Sequence, residues 1–127
     1  MLKGFKYKFF EIENAVFTNL NNYNLLIMNL SNLKKVTIIA DDALETYLIE
    51  EIIAAGAKGY TVEEARGKGF YDLLKTDISG KCVRIETVVS SITAEKILEI
   101  INEKYINRFN IVVFLTDICV LGGEKYI

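Results

Sequence analysis

The segment Arg66-Gly67-Lys68-Gly69 contains the residue types from which a small phosphate site can be built. Glycines without side chains let successive backbone N–H groups point into one concavity, where they can donate to phosphate oxygens. Lys68, between the two glycines, and Arg66 add positive charge beside that concavity. The same residues are also typical of an ordinary turn at the end of a strand, and the sequence leaves both interpretations open.

Two further cations could serve as charge partners for such a ligand. Arg84 alternates with Glu86 on a predicted strand, so its other reading is an ion pair worth about 0 to 1 kcal/mol if exposed. Lys125 follows two glycines near the end of the sequence. It could fold back towards a phosphate or lie in a frayed terminus.

Several other chemistries are excluded or disfavoured by composition. The 127 residues contain no histidine, which removes Ser-His and Cys-His nucleophile pairs and histidine metal sites. No nucleophile–base pair can be assembled, so we expect a protein that is not an enzyme. Asp41 and Asp42 are adjacent and lack a third ligand, so we interpret them as helix caps and expect no metal site. A net charge of -2 argues against nucleic acid as a partner.

The first 32 residues differ from the rest, and we treat 1–32 as an N-terminal extension of uncertain structure and 33–127 as the folded domain. No charged residue occurs from 14 to 33, but frequent asparagines oppose a membrane span, and no signal peptide is recognisable. Cys82 and Cys119 are interpreted as buried thiols in a reducing cytoplasm. In the extension, a set of aromatic residues either covers a neighbouring patch or belongs to an unstructured tail: Phe5, Tyr7, Phe9 and Phe10.

The elements that would position these residues follow from periodicity. Strands are predicted at 36–40, 59–65, 82–89 and 110–121. One helix follows Asp42, its predicted N-cap, with Glu45 completing a capping box and a stripe at 44, 48, 49, 52 and 53 facing the core. The other begins at Thr93, with Ile92 and Ile97 as a hydrophobic staple. Residues 66–80 form a long connection with too few apolar residues to be fixed, so we expect it to be mobile.

The order βαββαβ predicts an α+β ferredoxin-like sandwich, in which a four-stranded antiparallel sheet carries both helices on one face. The first and last strands read as apolar on both sides, so we expect the uncovered face of the sheet to contact another subunit. This fold supports many unrelated functions, so the fold alone does not indicate which one applies.

Short motifs in the right order resemble the PII signalling superfamily. These are AGAKGYTV at 55–62, RGKG at 66–69, VRIETVV at 83–89 and VLGGEKY at 120–126. The last resembles the endings of divergent PII-like proteins associated with carboxysomes and bicarbonate uptake. The resemblance covers about residues 33 to 127.

The resemblance implies a trimer-forming protein, a homotrimer that holds an adenine nucleotide in clefts between subunits and signals through a flexible T-loop to inorganic-carbon or nitrogen metabolism. It implies no obligatory cofactor, with the nucleotide as an effector ligand and bicarbonate as a possible second one. A membrane transporter or a carboxysome component is the implied target, without insertion of the protein into the membrane. The implied nucleotide-binding residues are Thr61 for the base or ribose, Gly67, Lys68 and Gly69 for phosphate, and Arg84 or Lys125 for charge.

Departures from the family pattern refine the expected ligand. PII proteins proper wrap the triphosphate with a glycine-rich loop, where this chain has only Ile106-Asn107-Arg108-Phe109. Basic residues of their last strand correspond to Val120 and Gly122. We therefore expect AMP or ADP rather than ATP. The alternative is a trimeric structural or interaction module that has lost nucleotide binding.

Overall fold

The computed structural model describes residues 30–67 and 81–127. Four antiparallel strands form one sheet in the order β2-β3-β1-β4, and two α-helices connect β1 to β2 and β3 to β4. This is the predicted ferredoxin-like α+β architecture. The elements are β1 (Leu30–Asp41), a 3₁₀ turn (Asp42–Leu44), α1 (Glu45–Ala54), β2 (Thr61–Ala65), β3 (Cys82–Val89), α2 (Ser91–Lys104), β4 (Ile111–Leu121) and a C-terminal 3₁₀ turn (Gly123–Tyr126).

The core lies between the helices and one face of the sheet. Strand β3 shows most clearly how the sequence forms this core. The residues of β3 alternate strictly between buried and half-buried, as the period of two in the sequence of the strand predicts. Its buried residues meet those of β1: Ile85 pairs with Ile38, and Val83 with Ala40. The helices contribute a matching apolar face: Leu48 and Ile52 from α1, and Ala94, Ile97 and Ile101 from α2, with Tyr105 directly after α2.

Strand β1 is longer than its β-branched centre indicated. The prediction was 36–40, whereas the strand runs from Leu30 to Asp41, because β4 supplies partners from Ala40 back to Leu30. Strand β2 begins at Thr61 rather than 59, and β4 begins at Ile111 rather than 110. Residues 1–29 lie outside the described residues, so the division of the chain at residue 33 stays a prediction.

The predicted N-caps were wrong by one residue for the first helix and by three residues for the second. Asp41, not Asp42, caps the 3₁₀ turn that precedes α1, and its carboxylate accepts a hydrogen bond from the Ala43 N–H at 2.9 Å. The Asp42 N–H instead donates a hydrogen bond to the Lys81 carbonyl at 3.1 Å, which extends the pairing of β1 with the chain before β3 beyond Asp41. Helix α2 is capped by Ser90, whose hydroxyl accepts from the Thr93 N–H at 3.2 Å.

Two isoleucines predicted to be buried are exposed. Ile92, predicted to form a staple, is 67% exposed, and Ile53 of the α1 stripe is 51% exposed. Helix α1 ends at Ala54, and Gly56, two residues later, has a φ of +119°, which suits glycine. A Cβ at Gly56 would lie 3.3 Å from the Thr93 hydroxyl. Gly56 therefore lies next to Thr93, whereas the side chains of Ile53 and Ile92 lie on the exposed surface of their helices.

The uncovered face of the sheet is less apolar than expected. Strand β1 lies in the middle of the sheet, and it places Lys35 and Thr37 on this face. The prediction that β1 is apolar on both sides was therefore wrong. On β4 the same face carries Val112 and Phe114, which are 48% and 41% exposed. Among the described residues, no helix is long and apolar enough to span a bilayer.

Candidate functional site

The structure describes four of the six predicted ligand residues. Thr61 opens β2, Gly67 follows that strand by two residues, Arg84 lies in β3, and Lys125 lies in the C-terminal 3₁₀ turn. The predicted phosphate turn is completed by Lys68 and Gly69, which lie outside the described residues. The connection at 70–80, predicted to be mobile, lies outside them as well.

Thr61 and Arg84 are brought to the same face of the sheet. Thr61 pairs with Glu86, and Glu63 pairs with Arg84, so the two candidates sit diagonally on neighbouring strands. The start of β2 is held in place by the buried Thr87, whose hydroxyl donates to the Gly59 carbonyl at 2.6 Å. Thr61 is exposed, so its hydroxyl is open to a ligand.

Arg84 takes part in an ion-pair network centred on Glu86. Its Nη2 lies 3.1 Å from Glu86 Oε2, and its Nε lies 3.6 Å from Glu63 Oε1. Lys35 Nζ approaches Glu86 Oε2 at 3.3 Å, and the buried Thr37 hydroxyl donates to the same oxygen at 3.0 Å. Arg84 was predicted either to contact a ligand or to form an ion pair, and within a single chain it forms the ion pair.

The network determines the charge state of Glu86. Burial by itself raises the pKa of this carboxyl, but hydrogen bonds from Arg84, Thr37 and Lys35, with the positive charge of Lys35, outweigh burial and lower the pKa below its ordinary value of 4.5. Glu86 is therefore an anion at neutral pH. Lys35 and Thr37 were not predicted as members of this network, because only the pairing of β1 with β3 places them beside Glu86. Their period-two spacing on β1 was the available signal.

Lys125 lies at the other end of the sheet. Gly122 adopts a left-handed φ of +65°, and the following Gly123 packs so closely against Ser31 that a Cβ would overlap its side chain. Ser31 precedes Ile39, the β1 partner of Arg84, by eight residues, which corresponds to about 26 Å along the strand. One chain therefore does not bring Arg84 and Lys125 to one ligand.

The connection between α2 and β4 is a tight turn. The N–H groups of Arg108 and Phe109 both donate to the Tyr105 carbonyl at 3.0 Å, and the rings of Tyr105 and Phe109 lie 5.8 Å apart. These contacts close the chain directly from helix to strand. No loop that could wrap a triphosphate exists between these two described elements. Val120, which stands where PII proteins proper have a basic residue in their last strand, is half-buried in β4.

The remaining reactive groups of the described residues do not form a second site. Cys82 and Cys119 are not joined in a disulfide and are only half-buried, rather than fully buried as predicted. Burial raises the pKa of Cys119, whose Sγ donates to Asn32 Oδ1 at 3.2 Å. Within residues 30–67 and 81–127, no group of three Cys, Asp or Glu side chains is placed to hold a metal ion.

The comparisons with known proteins agree with this geometry. The model of the family described as nitrogen regulatory protein P-II matches residues 33–125. The chain belongs to the P-II family. Among curated protein sequences, none matches the chain.

Solved structures of PII-like proteins match both fold and sequence. A PII-like signalling protein structure from Thermus thermophilus is 39% identical, with a TM-score of 0.68 over 77% of this chain and 98% of that one. CPII from Thiomonas intermedia, bound to ADP and bicarbonate, is 26% identical, with a TM-score of 0.69 over 79% and 99% of the two chains. CPII bound to ADP, AMP and acetate is 28% identical, with a TM-score of 0.67 over 76% and 96%. This chain is thus a PII-like regulatory protein.

Proposed function

We propose that this PII-like protein is a homotrimer that senses AMP or ADP in preference to ATP at clefts between its subunits, with bicarbonate as a second effector. The preference for AMP or ADP is inferred from the tight turn between α2 and β4, because this turn leaves no loop at 106–109 to enclose a third phosphate. CPII, a relative, was crystallised with ADP, AMP and bicarbonate, which supports the same ligand class for this chain.

The separation of the candidate residues supports a site shared between subunits. Arg84 and Lys125 lie at opposite ends of one sheet, so a ligand that contacts both must receive one of them from a second copy of the chain. Phe114 and Val112 give the uncovered face the apolar surface through which copies would associate. Members of the P-II family form homotrimers, which supports three copies rather than two.

The proposed output is a change at the connection between β2 and β3. Residues 70–80 lie outside the described residues, and Ala65 and Cys82, which pair with each other, fix where that connection leaves and rejoins the sheet. A ligand at Gly67 would contact the start of the connection directly. The proposed target is a membrane transporter or a carboxysome component in inorganic-carbon or nitrogen metabolism.

Ligand binding is tested by thermal unfolding and calorimetry with AMP, ADP, ATP and cyclic AMP, each with and without bicarbonate. A ligand at 100 times its Kd should stabilise the fold by about 2.7 kcal/mol. We expect Lys68→Ala to weaken AMP or ADP binding by about 1 to 2 kcal/mol, because it removes one charge-assisted hydrogen bond. Lys58→Ala, an exposed lysine before β2, is the matched control and should bind as the unaltered protein does.

Amide exchange across residues 66–80, with and without nucleotide and bicarbonate, tests the output. We expect slower exchange when the effective ligand is bound, because the ligand favours one state of the connection. Uniformly strong protection without ligand would contradict a signalling role for this segment.

A second candidate function is a trimeric structural or interaction module without nucleotide binding. It is favoured by the contacts of Arg84, which is already paired with Glu86 and Glu63 and would have to give up part of that network to bind phosphate. Absence of heat and of any melting shift with all four nucleotides at millimolar concentration would favour this module over the sensor.

A further inference from the structure

A shallow groove lies outside the proposed nucleotide site, on the helix side of the sheet between α2 and the edge strand β4. Its volume is about 460 Å³, and its lining residues are Leu98, Glu99, Asn102, Ile106 and Val113. Leu115, the next residue of β4 on the same side as Val113, extends the apolar floor. Ile106 and Leu115 are 37% and 39% exposed, so the described residues leave this floor open to solvent.

One wall of the groove is acidic. Glu95, Glu99 and Glu103 are spaced by four residues along α2, so they form one line on the surface of the helix. All three are exposed, and Glu99 lines the groove itself. An occupant that fits would therefore combine an apolar side for the floor with positive charge for the wall.

The N-terminal sequence has this combination. Phe5, Tyr7 and Phe9 alternate with Lys6 and Lys8, so an extended chain would present three aromatic rings on one side and two ammonium groups on the other. Lysine side chains are long enough to reach across an apolar contact to acidic groups at its rim. The segment lies outside the part of the chain that matches the P-II family, which begins at residue 33.

The position at which the described chain begins allows the segment to reach the groove. Leu30 pairs with Leu121, at the end of β4, and the 11 residues of β4 extend over about 33 Å. The span from Phe10 to Leu30 can bridge up to about 66 Å when extended. The aromatic segment can therefore lie at any point along the groove of its own chain.

We propose that residues 5–10 of this chain bind in the groove between α2 and β4, with the rings of Phe5, Tyr7 and Phe9 on its apolar floor and Lys6 and Lys8 facing the acidic line of α2. The P-II domain would thus carry an internal docking site for its N-terminal extension. This site is separate from the uncovered sheet face that we assign to subunit association.

Hydroxyl-radical footprinting of the full chain tests the proposal, because it reports side-chain accessibility directly. In the triple variant Phe5→Ser/Tyr7→Ser/Phe9→Ser, oxidation of the floor residues Ile106 and Leu115 should rise by roughly threefold, since their cover is removed. Ile53, exposed on α1, serves as the internal reference within each sample.

The matched control is Phe17→Ser/Tyr23→Ser, which removes aromatic residues from the same extension but leaves residues 5–10 intact. This variant should oxidise at the unaltered rate. Unchanged oxidation in the triple variant, or an equal rise in the control, would overturn the proposal.

Charge reversal tests the assigned orientation independently. Glu99→Lys should raise oxidation of the floor, because it places positive charge opposite the two lysines, and adding Lys6→Glu/Lys8→Glu should lower oxidation again. If the combined variant oxidises as fast as Glu99→Lys alone, the acidic line does not receive these lysines and the proposed arrangement is wrong.

Discussion

Replacing Glu86 with alanine should destabilise the protein through one buried hydroxyl more than through the charges around it. The Thr37 hydroxyl is fully buried and donates to Glu86 Oε2, so its loss of an acceptor costs about 1 to 3 kcal/mol. Arg84 and Lys35 also lose their partner, but both are about one-third exposed, which limits that contribution to about 0 to 1 kcal/mol. We therefore expect a loss of about 1 to 4 kcal/mol of unfolding free energy at neutral pH, most of it from Thr37.

The assay is denaturant unfolding at one fixed chain concentration, because the proposed association would make apparent stability depend on concentration. Glu86→Gln keeps an oxygen acceptor for Thr37, so the free energy of unfolding should fall by about half as much as in Glu86→Ala. Glu63→Ala removes only the exposed carboxylate at 3.6 Å from Arg84 and should lose less than about 0.5 kcal/mol. Equal losses of stability in Glu63→Ala and Glu86→Ala would show that the buried Thr37 hydroxyl does not determine the effect.

The pH dependence provides a second check on the same group. The folded-state pKa of Glu86 is lowered, so its ionised form contributes stability that is fully present above the unfolded-state pKa and is lost as pH falls through the folded-state pKa. The difference between the unaltered protein and Glu86→Ala should therefore narrow as pH falls below about 4.5. A difference that widens in acid would contradict the sign of the shift.

Two further changes test the packing of the C-terminal turn and the uncovered face. Gly123→Ala should lower the melting temperature by several degrees, because the added Cβ overlaps Ser31, whereas Gly59→Ala, with no atom within 4 Å of its added Cβ, should leave it nearly unchanged. Phe114→Asp should reduce the trimer mass measured by light scattering to that of a monomer, because it places a charge in the proposed interface. Ile53→Asp, on an exposed helix surface, should leave the mass unchanged, and a trimer that survives Phe114→Asp would place the interface elsewhere.

Local sequence patterns predicted the elements and some of their ends. The alternation in β3 is a property of its own residues, so its bounds of Cys82 and Val89 were predicted correctly. The start of β1 depends on a partner: Leu30 is in the strand because Leu121 lies opposite, and no pattern within residues 30–35 encodes that pairing. The position of the cap at Asp41 likewise depends on Lys81, 40 residues away, because the Lys81 carbonyl accepts a hydrogen bond from the Asp42 N–H.

The site shows the same division between local and non-local information. Arg84 and Glu86 share a strand face by spacing alone, and their ion pair was one of the two predicted readings. The third and fourth members, Lys35 and Thr37, become visible only when β1 is placed next to β3. The distance between Arg84 and Lys125 also follows from sheet order, because β4 ends where β1 begins, and motif spacing along the sequence carries no such information.

The pairing of Leu30 with Leu121 has a practical consequence for anchoring the molecule. The chain enters β1 and leaves β4 at one corner of the sheet, whereas the connection after Gly67 starts near Asp41, at the other end of the 12-residue β1 and about 36 Å away. A tag, a fluorophore or a solid support joined to the C-terminus would therefore stand clear of the end from which that connection projects. The protein can be attached through its C-terminus while a target is offered to the connection at the opposite end of β1, so binding of that target can be measured without blocking the connection.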